Sequence, residues 1–109
     1  MTTTIGHFIA GQVEPGTGDR SGPVFNPSTG EEIARCAYAS RATLDRAVAA
    51  ATEAGKKWGR ASHAARQAVI FKLRELVIAN TDLLAEVIGR EHGTTIADAT
   101  GEIGRAGEG

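Results

Sequence analysis

The sequence predicts an α+β chain, with short amino-terminal hairpin strands followed by three to four helices. Three observations carry that expectation. Residues 62–93 hold one sustained apolar rhythm: Val69, Leu73, Leu76, Leu83, Leu84, Val87 and Ile88 recur at steps of three and four, apart from a gap at Asn80. That spacing places them on one stripe of a helix. The first forty residues lack this rhythm and are cut into short runs by glycine and proline, as strands and turns are. Hydrophobic residues make up 41% of the chain but aromatic ones only 5%. Alanine supplies much of the rest, which favours close helix packing over a bulky core.

Taken in order, residues 5–13 read as a strand, with Phe8 and Ile9 as strand formers and a turn at Gly11 and Gln12. Pro15, Gly16, Gly18, Gly22 and Pro23 make residues 14–23 a loop. The glycine spacing there is one residue out of step with a dinucleotide fingerprint, and no helix signal follows it. Residues 24–26 and 32–38 form the strands of a hairpin around the turn Asn26-Pro27-Ser28-Thr29-Gly30. Ser40 caps a helix over 41–58, whose inner face carries Leu44, Ala47, Val48, Ala51, Ala54 and Trp58. Gly59 ends it. Two more helices follow over 62–79 and 81–92. They meet at Asn80, Thr81 and Asp82, side chains that accept hydrogen bonds from free amides of a first turn. Gly93 suits the left-handed position after a helix. A last helix over 95–105, capped by Thr94 or Thr95, is weakened by Gly101 and Gly104, each costing about 1 kcal/mol relative to alanine.

The chain has 109 residues, which is one small domain. Its net charge is −1, from 12 basic and 13 acidic residues. No basic patch points to nucleic acid, and no apolar run reaches the length of a membrane span. The single cysteine, Cys36, excludes an internal disulfide and fits a reducing compartment, and the amino terminus lacks a secretory signal. A cytoplasmic protein is expected.

Residue chemistry alone supplies no complete active site. Cys36 lies mid-strand among small residues with no histidine near it in sequence, and is expected to be a buried small hydrophobe. Trp58 is expected to be a packing anchor, since no second aromatic flanks it for base or sugar stacking. His7, His63 and His92 are far apart and show no metal-ligand spacing. His92 near a helix carboxyl terminus is a dipole partner.

Longer blocks carry a resemblance. FIAGQ, then SGPVFNPSTGEEIARC, a capped alanine-rich helix ending in tryptophan, AARQAVIFKLRELV and AEVIGREHGTTIADATGEIGR follow one another over about residues 5–105. This order is similar to the amino-terminal region of the aldehyde dehydrogenase superfamily. Within it, the blocks at 66–76 and REHG…ADATGEIGR most resemble the acylating methylmalonate-semialdehyde dehydrogenases. The resemblance implies that residues 1–109 form the amino-terminal portion of the NAD-binding domain of that α/β fold. It implies NAD and coenzyme A as cofactors, a small semialdehyde as substrate and a homotetramer when intact. The reaction it implies is oxidative decarboxylation of methylmalonate semialdehyde to propionyl-CoA, or of malonate semialdehyde to acetyl-CoA, in valine, pyrimidine or inositol breakdown.

The family's nucleophilic cysteine, oxyanion amide and nucleotide-binding strands are expected beyond residue 109. No catalytic residue is therefore assigned, Cys36 does not correspond to the nucleophile, and the chain alone is expected to be inactive. One substrate-binding residue is carried over: Arg105, in the Gly-Glu-Ile-Gly-Arg segment, is expected to grip the substrate carboxylate. Thr94 stands where many relatives have lysine. The likeness stops at Arg105, as a truncated piece, a frameshift or a gene remnant would give. The competing expectation is a stand-alone helical module that binds a protein partner through its uncovered stripe.

Overall fold

The computed structural model describes residues 3–16 and 19–109. Among these residues five short strands precede four helices, which is the expected α+β class. The chain divides into two compact units, one of Met1–Phe25 with Glu31–Ala61 and one of Asn26–Gly30 with Ser62–Gly109.

In the first unit the expected strand over 5–13 is three strands: β1 (Thr3–Ile5), β2 (His7–Ile9) and β3 (Gln12–Glu14). The chain changes partner at Gly6. β1 pairs in parallel with β5 (Glu32–Ala37), whereas β2 pairs with β3 as a hairpin. Its two-residue loop is Ala10-Gly11, not Gly11-Gln12, because Ile9 stands opposite Gln12. Both loop residues have positive φ, 51° and 78°, the turn whose twist matches the strands it joins. The loop expected over 14–23 also ends early: β4 (Ser21–Phe25) includes Gly22 and Pro23. The strand order β1-β5-β4 puts β4 at an edge, where a missing N–H is tolerated. Gly18 of the glycine series lies outside the described residues.

Helix α1 (Arg41–Arg60) starts where Ser40 Oγ accepts from Thr43 N at 3.1 Å. It runs through Gly59 to Arg60 instead of stopping at 58. There Ala61 N donates to Trp58 O and Arg60 Nε to Lys56 O, at 3.1 and 3.0 Å, satisfying carbonyls that a helix end leaves free. Little is buried among its described residues: Gly22, Ala34, Ala37 and Thr43. Arg46 reaches from α1 to pair with Glu14 of β3 through both guanidinium nitrogens.

The second unit holds α2 (His63–Ala79), α3 (Thr81–His92) and α4 (Ile96–Glu108). Ser62 caps α2 and Thr95 caps α4, accepting from Ala65 N and Asp98 N. The corner between α2 and α3 differs from expectation. Asn80 Nδ2 donates to Leu76 O, and Thr81 Oγ1 donates to Ile78 O, both at 2.8 Å. These side chains close the end of α2 rather than cap α3, because α2's free carbonyls lie one turn behind them. Gly93 takes the left-handed conformation, with φ 80°, and its N–H returns to Gly89 O. A side chain there would also press on Pro27.

The core of this unit is Ala85, Ala99 and Ile103, with Val77 and Ile88 packed against it. Small residues let α3 and α4 approach closely. The α2 stripe is not covered: Val69, Leu73 and Leu76 remain 53%, 56% and 48% exposed, and no residue of α2 is buried. Leu83, Leu84 and Val87 of α3 are exposed too.

Candidate functional site

The structure places Arg105 in the last turn of α4. Ala99 and Ile103 face the core, and Arg105 stands on the exposed side of the same helix. Its side chain runs back over Gly101, with Nη1 3.8 Å from where a β-carbon on Gly101 would stand. Arg105 joins no hydrogen bond or ion pair among the described residues, so its fork of donors is open to a ligand. The final turn that carries it extends to Glu108, beyond the expected end at 105. Arg74 Nε donates to Gly107 O at 2.8 Å and satisfies a carbonyl of that turn.

Cys36 sits in β5, opposite Ile5 and Gly22. It is half-buried rather than fully buried, because β5 lies between two short strands that shield it incompletely. Its sulfur lies 3.9 Å from Ala37 O. Trp58 is not the packing anchor expected. It is 44% exposed and forms a shallow apolar strip with Ala51, Ala54 and Ala61 along α1. His7 is in β2, His63 opens α2 and His92 closes α3, where it shares the last turn with Arg90. Among the described residues no three histidine, cysteine or acidic side chains gather in a way that holds a metal ion. Among the described residues no helix is long and apolar enough to cross a membrane.

The described residues do not fit a dinucleotide. Gly22 lies within strand β4 and no helix follows it directly. One first-turn amide in each of α1, α2 and α4 is taken by its cap residue, Ser40, Ser62 and Thr95 respectively. The start of α3 abuts the end of α2 at Asn80, and none of the four helices opens from a glycine-rich loop of the kind that cradles a phosphate. The feature sequence reasoning missed is the Arg74–Gly107 tie, which spans 33 residues and leaves no local pattern.

Known proteins match this arrangement. The aldehyde dehydrogenase family model matches residues 13–108. The 3,6-anhydro-alpha-L-galactose dehydrogenase of Streptomyces coelicolor is 40% identical over 95 residues, covering 87% of this chain and 19% of that protein. Malonate-semialdehyde dehydrogenase 3 of Geobacillus kaustophilus is 38% identical over 104 residues, covering 95% of this chain and 22% of that protein. The chain thus spans about a fifth of the length of the curated relatives it matches. A Sinorhizobium meliloti 1021 structure complexed with NAD and named for methylmalonate-semialdehyde dehydrogenase superposes with TM-score 0.88 at 42% identity. That match covers 93% of this chain and 21% of that one. The short strands, the four helices and their order are those of the amino-terminal part of this fold, and the chain belongs to the aldehyde dehydrogenase family.

Proposed function

We propose that this chain is the amino-terminal portion of the NAD-binding domain of an NAD- and coenzyme A-dependent semialdehyde dehydrogenase. The complete enzyme, a cytoplasmic homotetramer in this reading, converts methylmalonate semialdehyde to propionyl-CoA or malonate semialdehyde to acetyl-CoA, releasing carbon dioxide. The observation that carries the proposal is the 38% identity over 104 residues to a malonate-semialdehyde dehydrogenase. NAD is supported by its presence in the S. meliloti structure. The nucleophile, the oxyanion donor and the nucleotide-binding strands belong to the four-fifths of the relatives that this chain does not span. Its own contribution is Arg105, whose planar guanidinium takes the substrate carboxylate through two parallel hydrogen bonds.

A second reading has a specific observation behind it. The 40% identical S. coelicolor relative is named for an anhydrosugar aldehyde, which carries no carboxylate. In that reading Arg105 is a solvated helix-end cation.

Grafting residues 1–109 onto the G. kaustophilus enzyme, in place of its matching stretch, separates the two. NADH formation is followed with malonate semialdehyde and coenzyme A, with propanal, and with 3,6-anhydro-L-galactose. Arg105→Leu is expected to lower kcat/KM for malonate semialdehyde by one to two decades, about 1.5–3 kcal/mol, and to spare propanal. Equal losses on both substrates would make Arg105 structural, and preference for the sugar would favour the second reading. The 109-residue chain alone is expected to give no NADH. Turnover that survives purification and vanishes in Cys36→Ala would overturn the proposal.

A further inference from the structure

The last turn of α4 has little to hold it. Gly104 and Gly107 have no side chains to pack, and glycine inside a helix opposes helix formation. Ile103 is the last buried residue of the chain. Arg74 of α2 reaches this turn from outside α4, donating from Nε to Gly107 O at 2.8 Å. A cation at that carbonyl is favoured twice, by a charge-assisted hydrogen bond and by the negative end of the helix. Arg105 rises from the same turn, two residues before the tied carbonyl, and its direction is fixed only as well as that turn is wound.

We propose that Arg74 is a positioning residue for Arg105. By tying the glycine-rich end of α4 to α2, it holds the guanidinium of Arg105 in the orientation that receives a dicarboxylate or semialdehyde carboxylate. This rests on the reading of Arg105 as the carboxylate ligand.

The test uses the full 109-residue chain and malonate as the probe. Amide hydrogen exchange is measured along α2, α3 and α4, and the Arg105 Nε–H signal is followed by NMR through a malonate titration. Arg74→Ala is expected to speed exchange at residues 104–108 about fivefold while sparing α3, and to weaken the malonate response about fivefold. Arg74→Lys, which keeps a cationic donor within reach, is expected to recover most of both. An unchanged malonate response in Arg74→Ala overturns the positioning role alone. So does exchange that accelerates equally through α2, α3 and α4, which marks Arg74 as generally structural. If the wild-type chain shows no response at Arg105 while Arg74→Ala still frees residues 104–108, the carboxylate reading falls and takes the positioning role with it.

Discussion

Replacing Ile103 by alanine tests where this chain keeps its stability. Among the described residues Ile103 is the single large side chain of the buried hydrophobics; the others are Ala34, Ala37, Ala85 and Ala99. The substitution removes three carbons, which at ~0.8 kcal/mol each gives about 2.4 kcal/mol of lost transfer energy. A cavity term adds to this. Ala85 and Ala99 are too short to swing into the gap, whereas half-buried Val77 and Ile88 can move toward it. The expected cost is therefore about 2.5–3.5 kcal/mol, in the lower half of the range for such truncations. Leu73→Ala is the control. It removes as many carbons from a side chain already 56% exposed, and is expected to cost about 1 kcal/mol or less. Amide exchange in α3 and α4 reads the opening energy of this unit without requiring a cooperative melt. Equal costs for the two variants would refute the reasoning, because they would mean that the α2 stripe is covered.

Two other outcomes are expected. With Leu73, Leu76, Leu84 and Val87 in water, the isolated chain should show helical circular dichroism without a sharp transition, or should associate as concentration rises in sedimentation; a monodisperse monomer with a cooperative melt would contradict this. The hydrogen bond from Arg46 holds the Glu14 carboxyl below its ordinary value. Its stabilisation is thus full above the unfolded-state value, about pH 4.3, and is lost as pH falls through the lowered folded value. Protection of the β2–β3 amides, relative to their intrinsic exchange at each pH, should fall in that acid window in the wild type but not in Glu14→Gln, and a pH-independent protection would argue against the pair.

What was legible in the sequence was local. Ser40 caps its helix by an oxygen three residues from the amide it receives, and Thr95 does the same. Gly93 shows its backbone requirement by its place after the last apolar residue of α3. The hairpin of β4 and β5 is likewise legible, since its turn residues lie together. The parallel pairing of β1 with β5 joins residues about thirty apart and has no spacing that announces it. At Asn80 the residue type was informative but the direction of its bond was not, because an amide both donates and accepts. Trp58 misled for another reason: apolar periodicity says which face of a helix is greasy, not whether anything lies against it. For Arg105, the residue type was visible in the sequence, and its openness to solvent became visible only with the helix turned.

Pro23 has a consequence for how copies of this chain meet. A sheet edge grows when an incoming strand finds an unbroken row of donors and acceptors, the templating on which fibrils depend. On β4 that row is interrupted by a residue without an N–H, and the irregular register between Val24 and Phe25 disturbs it again within two residues. The opposite edge, β1, is three residues long. Strand-by-strand stacking therefore has no adequate seed at either margin of this sheet. Clustering of the chain, where it occurs, should stay helical and reversible on dilution, and should not bind dyes that report cross-β order.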